Sequence, residues 1–324
     1  MHRFFAHPKI DFRALTSSLA TLRLADRRGL CPILLDQSQS GSAQALLAAV
    51  PFAGRALPLA LYTFSYPLME PAVKSQSHLE HLFLLDVESA LPKQTLPIWI
   101  GDRAYARSLL LSQSERENRL YMLRGRGETI ISHQGRRMKL KSLSAPPRKA
   151  IRYENILYHA RRQISLDVVV YHDPSFRAPW YLLLPAQARA LLTPDQVVDL
   201  YRERMQIEQS FRDFKTHLGL RGLRLKVSVE ARMGRLLLAF CLAYILCVLF
   251  GESPLAQQAR GLFEILRHHP RHGATRTLSA LSMAMLMLSH GPWACRSLRY
   301  LKKLITDAAH HHPGFLPPII KNPC

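Results

Sequence analysis

Acidic residues are scarce in this chain: 23 Asp and Glu stand against 44 Lys and Arg in 324 residues, for a formal net charge of +21. A folded protein with so little acid attracts polyanions, nucleic acid first and an anionic membrane surface second. Cysteine is sparse as well. Cys31, Cys241, Cys247, Cys295 and Cys324 form no CxxC pair, and three of them lie in apolar runs. That argues against a zinc finger or a disulfide framework and fits reduced thiols in a cytoplasm. No GxxxxGK[ST] loop occurs, so an ATP-driven mechanism has no support. No Ser-His-Asp arrangement can be argued from spacing. The opening MHRFFAHPKIDF lacks the apolar centre of a signal peptide. Leu236 to Phe250 is an uncharged apolar run of 15 residues. It falls short of the ~18–20 needed to span a bilayer and reads as a buried core helix.

What remains is a chain with 48% hydrophobic residues, enough for one large domain or two ordinary ones. Residues 13–27 read as a short helix. Pro32–Leu35 is a buried strand that delivers Asp36 at its end, and Gln37–Ser42 is a polar turn. Leu46–Phe52 and Ala56–Phe64 read as two strands joined through Gly54. Residues 75–90 have Leu79, Leu82, Phe83 and Val87 at helical spacing. Leu96–Ile100 is another strand, delivering Gly101-Asp102-Arg103, and Ala104–Glu117 is helical. The pattern is α/β, with two aspartates where strands end. Residues 119–189 alternate in a β-like way and hold 14 Lys or Arg against 4 acids. They read as a basic β-rich insertion. Residues 253–324 carry 9 Lys or Arg against 2 acids and form a basic helical C-terminal part.

The most informative stretch is YRERMQIEQSFRDFK, from Tyr201 to Lys215. Thr193-Pro194-Asp195-Gln196 is a capping box ahead of it, with Pro at the first helical position, and Gly219 supplies the stop. One helix over about 194–218 is expected. At 100° per residue Tyr201, Arg204, Glu208 and Lys215 share an arc of about 60°. Leu200, Ile207, Phe211, Phe214 and Leu218 form a separate apolar stripe. A lone carboxylate among cations suits a site that handles phosphate.

Cutting a phosphodiester bond needs an activated water and stabilisation of charge on the leaving oxygen. Two divalent ions about 3.5–4 Å apart can supply both. Mg²⁺ takes oxygen ligands, so a few carboxylates hold it. Two strand-end aspartates and a carboxylate from a helix packed on the sheet can converge on such a site, and Asp36, Asp102 and Glu208 fit that description. Read singly, each has a plainer role. Asp36 suits a turn, Asp102 a helix N-cap, and Glu208 a surface pair with Arg204 or Arg212. Asp86 and Glu88 compete as acids but have no strand. The combination favours the site.

These residues carry a resemblance. Tyr201, Arg204, Glu208 and Lys215 match the Tyr-x2-Arg-x3-Glu-x6-Lys signature of the DDE transposases of bacterial insertion sequences. Gly101-Asp102-Arg103-Ala104-Tyr105 is similar to that family's second-aspartate motif, and Asp36 after Ile33-Leu34-Leu35 to its first. The likeness runs over about residues 30–250. It implies an RNase H-like mixed sheet flanked by helices. The core would span 31–118 and 190–252, interrupted by the insertion at 119–189, after a short N-terminal segment 1–30 and before the region 253–324. It implies Mg²⁺ or Mn²⁺, two ions, held by Asp36, Asp102 and Glu208. Arg204 and Lys215 would hold phosphates, Tyr201 would meet the terminal nucleotides, and Arg103 and Arg212 would be further phosphate contacts. Double-stranded DNA would be cut at an element's ends and the freed 3′-hydroxyl joined to target DNA. The enzyme would be a cytoplasmic homodimer on paired ends, with no membrane partner.

Gln37 and Ala104 depart from the family's usual residues. About 35 residues precede Asp36, where a longer end-recognising region is usual. A non-catalytic DNA-binding remnant or transposition inhibitor is therefore the alternative expectation. The groups His268, His269, His272 and His310, His311, His312 lack matching Cys or carboxylates and read as basic surface rather than zinc sites. Trp99 reads as core. Trp180, beside the basic β segment, is a candidate for stacking on a base.

Overall fold

The computed structural model describes residues 24, 27–40, 43–66, 75–219, 230–265 and 277–310. Nearly all of the expected helix 13–27 and of segment 1–30 lies outside these residues, as do the side chains of both histidine groups and Cys324.

The first strand, β1 (Gly29–Ser40), is built on Ile33-Leu34-Leu35, all buried. A continuous apolar run of this kind marks a strand covered on both faces. β2 (Ala43–Phe52) and β3 (Arg55–Ser65) follow as an antiparallel hairpin. The turn between them, Ala53-Gly54, has φ of 48° and 72°. Two successive left-handed residues make the primed turn whose twist matches the strands. The first four residues of the polar turn expected at Gln37–Ser42 are strand instead. Gln37 to Ser40 continue β1, opposite Leu46 to Ala43 of β2.

β4 (Thr95–Gly101) and β5 (Leu120–Arg124) lie parallel to β1. The order β3-β2-β1-β4-β5, with an antiparallel meander followed by two parallel strands, is the RNase H-like arrangement. The remaining strands are β6 (Ile130–His133), β7 (Arg136–Lys139), β8 (Ala150–Tyr158), β9 (Ile164–Tyr171) and β10 (Trp180–Leu184). They extend the same sheet in the order β5-β10-β9-β8-β6-β7. The basic β-rich segment is therefore continuous with the core sheet. β5, inside that segment by sequence, is the fifth core strand.

Helices flank the sheet. α1 (Gln76–Ala90) begins where Ser75 Oγ accepts from the His78 N–H at 3.2 Å, and it buries Leu79, Phe83 and Val87. α2 (Ser108–Arg116) starts four residues later than expected, because residues 102–105 form a turn. α3 (Pro194–Arg202) has the expected capping box, and Gly219 the left-handed φ of a stop, 74°. The single helix expected over 194–218 is instead two, α3 and α4 (Met205–Thr216). Between them the N–H groups of Glu203, Arg204, Gln206 and Ile207 bond three residues back. Such a tightened turn advances about 120° per residue rather than 100°. Neither Gly nor Pro marks it in the sequence.

α5 (Glu230–Gly251) covers β2 and β3 on one side and meets α7 (Ala280–Ser289) on the other. It is the one helix among the described residues long and apolar enough to cross a membrane. In the fold Leu237, Cys241, Tyr244 and Val248 are buried, as the sequence expected of a core helix. Each large apolar side chain so placed contributes ~1.5–3 kcal/mol. Gly251 permits the close crossing: a Cβ there would lie 1.8 Å from the Ala280 carbonyl oxygen. α6 (Pro254–Phe263) and α8 (Gly291–His310) complete a smaller C-terminal cluster around Phe250, Met283 and Met287.

Candidate active site

Two aspartates are set side by side by strand register. Leu35 of β1 is paired with Gly101 of β4 in parallel. Asp36 and Asp102, each one residue further, therefore stand side by side on the same face, with backbones about 5 Å apart. Asp102 follows the last residue of β4, but Asp36 is not at the strand end expected of it, because β1 runs on to Ser40. Both are half-buried. Asp36 Oδ1 accepts from the Gln37 N–H at 2.8 Å. Asp102 Oδ1 accepts from the Ala104 N–H at 2.7 Å, which closes the turn and delays α2. Asp102 thus caps a turn, not the helix N-terminus that was the plainer alternative.

Tyr105 packs over that turn. A Cβ on Gly101 would meet its Cδ2 at 2.9 Å, so glycine and tyrosine are complementary here. The Tyr105 hydroxyl is buried with no hydrogen-bond partner among the described residues, and burial first, then Asp36 and Asp102, push its pKa well above the usual value.

The third carboxylate arrives on α4. Asp36, Gln37, Ser38, Glu208, Phe211, Arg212, Lys215 and Thr216 line one cleft of about 490 Å³. Burial raises the Asp36 pKa to about 6. The Gln37 N–H and Arg204 oppose that shift, while Asp102 and Glu208 add to it. Asp36 therefore feels the charge of both other acids, while Asp102, at its side just past β4, is not among the residues that line the cleft. Glu208 is turned to Arg204, with Nη2 donating to Oε1. Among the described residues no three His, Cys, Asp or Glu side chains already form a group that could hold a metal ion.

α4 is fixed by a polar latch that the sequence did not reveal. Its residues 206, 210 and 213, one helix face, reach the β2–β3 hairpin. Gln206 Oε1 accepts from the Phe52 N–H at 3.1 Å. Ser210 Oγ accepts from the Ala56 N–H at 2.9 Å and donates toward the Ala56 carbonyl at 3.0 Å. Asp213 pairs with Arg55 at 2.6 Å, and the Tyr244 hydroxyl of α5 donates to Ser210 Oγ at 2.9 Å. β3 is an edge strand, and the helix covers backbone groups that an edge leaves open. Gln37 has a comparable role at β1. Its side chain bonds Gln44 of β2 at 3.0 Å and Gln76 of α1 at 2.8 Å.

The cations divide. Arg212 and Lys215 line the cleft. Arg204 is 8% exposed, bonded to Glu208 and 5.9 Å from the Tyr201 ring. Arg103 is exposed at the Asp102 turn. Tyr201 does not share the cleft. The tightened turn rotates it away from Glu208, and its ring is buried 5.0 Å from Trp180. Trp180 is itself stacked on Phe176 at 5.0 Å, so it is a core residue and offers no face to a base. Arg124, at the end of β5, was missed from sequence. Burial first, then Arg103 and Arg204, lower its pKa, and its Nε is buried without a partner. Its signal was the position at the end of the β5 strand, legible only once β5 is seen beside β4. The competing acid Glu88 is held elsewhere, by Arg119 at 2.6 Å and the Trp99 indole at 2.7 Å.

The family model of the transposase DDE domain matches residues 70–246, more than half of the chain. The chain belongs to the DDE transposase family. The match contains Asp102 and Glu208, and Asp36 lies ahead of it. No curated protein matches the chain. Among solved structures, the cryo-EM structure of a piggyBac transposase synaptic complex with hairpin DNA is similar at a TM-score of 0.40 and 9% identity. The similarity covers 91% of this chain and 60% of that one, so the chain spans less than two thirds of that relative's length. A DDE transposase is an enzyme of the nuclease and polynucleotidyl-transferase kind, and the family uses divalent metal ions.

Proposed function

We propose that this DDE transposase cuts DNA at Asp36, Asp102 and Glu208 and joins the freed end to target DNA. The observation that carries the proposal is the pairing of Leu35 with Gly101, which places two aspartates together on one face. In the first step water attacks the scissile phosphorus, the bond to the 3′-oxygen breaks, and that oxygen leaves with a proton. In the second the 3′-hydroxyl attacks a target phosphorus, loses its proton and displaces the target's own 3′-oxygen.

The donor set fits a hard divalent cation: carboxylate oxygens only, with Asp36 a buried carboxyl whose charged form burial disfavours and a cation would stabilise. Asp36, Asp102 and Glu208 would hold Mg²⁺ or Mn²⁺, two ions on the family pattern. Bound there, the metal lowers the pKa of water and neutralises charge on the leaving oxygen. Arg212 and Lys215 offer charge-assisted hydrogen bonds to the DNA phosphates in the cleft. Arg204 holds Glu208 until a phosphate or cation competes for either partner. Tyr201 acts from behind, supporting Arg204 through its ring. Duplex DNA is the partner, bound by a homodimer that pairs two ends.

The Arg204–Glu208 pair also favours a second reading, a DNA-binding protein that does not cut. Incubating the full chain with supercoiled plasmid, with EDTA, Mg²⁺ or Mn²⁺, separates the two. Nicking that requires the divalent ion is expected. Plasmid binding with no nicking under any ion would support the non-catalytic reading instead.

A further inference from the structure

The C-terminal helix α8 presents a charge pattern that the cleavage site does not use. Its inner side is anchored. Ser297 is fully buried, Tyr300 lies 5.8 Å from Phe250, and Trp293 lies 6.5 Å from Phe263. Arg296, Arg299 and Lys303 are exposed. At 100° per residue they fall within an arc of about 60°. Leu298, Lys302 and Ile305, also exposed, fall on a separate arc.

Two facts set this stripe apart from an ordinary solvated helix face. Surface cations usually alternate with acids, yet no Asp or Glu occurs from Ile265 to Thr306, and the stripe ends at Asp307, one turn beyond Lys303. None of the ion pairs among the described residues engages Arg296, Arg299 or Lys303. Arg296 sits 5.6 Å from the Trp293 ring, which steadies the guanidinium and leaves its N–H groups available. From 296 to 303 the helix rises about 10 Å. Over that length one strand of duplex DNA carries about three phosphates. The number and span of the cations match.

We propose that the Arg296–Arg299–Lys303 stripe of α8 is a second DNA contact, a backbone clamp that grips duplex outside the cleavage cleft without reading sequence. The proposal rests on DNA being the substrate, as argued above, and adds a surface to it.

The test is binding of a random-sequence duplex by fluorescence anisotropy across a salt series. It compares the full chain, the triple variant Arg296→Ala/Arg299→Ala/Lys303→Ala, and the charge-retaining variant Arg296→Lys/Arg299→Lys/Lys303→Arg. The alanine variant should lower the slope of log K against log salt by roughly 2–3, and affinity at 0.1 M salt roughly a hundredfold. The charge-retaining variant should keep the parent slope. An unchanged slope in the alanine variant overturns the proposal, and so does an equal loss in the charge-retaining one. Loss of binding to phosphatidylserine vesicles with unchanged DNA binding also overturns it, in favour of a membrane surface. Plasmid nicking is read in parallel. Absent nicking with a reduced slope would leave the clamp standing and count against the catalytic reading. Intact nicking with an unchanged slope would do the reverse.

Discussion

Replacing Ser210 by alanine removes one oxygen and breaks the latch that aims Glu208. The hydroxyl is fully buried and serves both the N–H and the carbonyl of Ala56, at 2.9 and 3.0 Å. Ala56 belongs to β3, the edge strand of the sheet, so among the described residues no further strand stands ready to take those groups. Tyr244 would keep a longer bond to Asp213 at 3.3 Å. Each buried backbone group left unpaired costs about 1–3 kcal/mol. With partial relaxation the loss should be ~2–4 kcal/mol, equivalent in a chain of this length to a fall in melting temperature of roughly 3–6 °C. Thr216→Ala on the same helix, whose exposed hydroxyl returns to the Arg212 carbonyl at 2.7 Å, should cost no more than about 0.5 kcal/mol. Thermal and urea melts followed by circular dichroism measure both. Nicking measured well below the melt should also fall in Ser210→Ala, since Glu208 lies half a turn away on the helix the latch holds. A Ser210→Ala variant as stable as Thr216→Ala would refute the argument that the latch fixes α4.

Three further outcomes follow. The Asp36 pKa near 6 lies above its unfolded value of about 3.9, so the folded state binds the proton more tightly. In EDTA, stability from this group is fully present below about pH 4 and is lost as pH rises through about 6. Asp36→Asn should therefore stabilise the metal-free protein by up to about 3 kcal/mol at pH 7.5 and leave it unchanged near pH 4. Urea melts at the two pH values read this, and an equal effect at both would contradict it. Arg124→Gln should weaken duplex binding and reduce the salt slope by about 1, with little loss of stability, because it removes a crowded cation. Gly251→Ala should destabilise strongly, since its Cβ meets backbone rather than a movable side chain. A melt within about 1 kcal/mol of the parent would mean that the α5–α7 crossing is looser than described.

The sequence carried the local half of this picture. Ile33-Leu34-Leu35 announced a buried strand, Thr193 to Gln196 announced a helix start, and the acids at 36, 102 and 208 were named from element ends and spacing. What it could not carry depends on partners far along the chain. That β5 belongs beside β4 is a matter of sheet order, not of its own five residues. The turn at Glu203–Arg204 has no Gly or Pro to announce it, and its effect, Tyr201 packed against Trp180, is seen only in the fold. Trp180 looked available because it stood in a basic segment, and burial under Phe176 removes it from the surface. No spacing singles out Ser210 and Asp213, and their role appears only when β3 is seen as an edge.

The proposed function stands on Asp36, Asp102 and Glu208 acting as one metal-dependent cutting site. Single-turnover nicking of supercoiled plasmid in Mn²⁺ by Asp36→Asn, Asp102→Asn and Glu208→Gln tests it most directly, with plasmid binding measured alongside. Each variant should bind DNA as the parent does and nick it at least about 10²-fold more slowly. Any one of the three cutting at the parent rate would contradict the site.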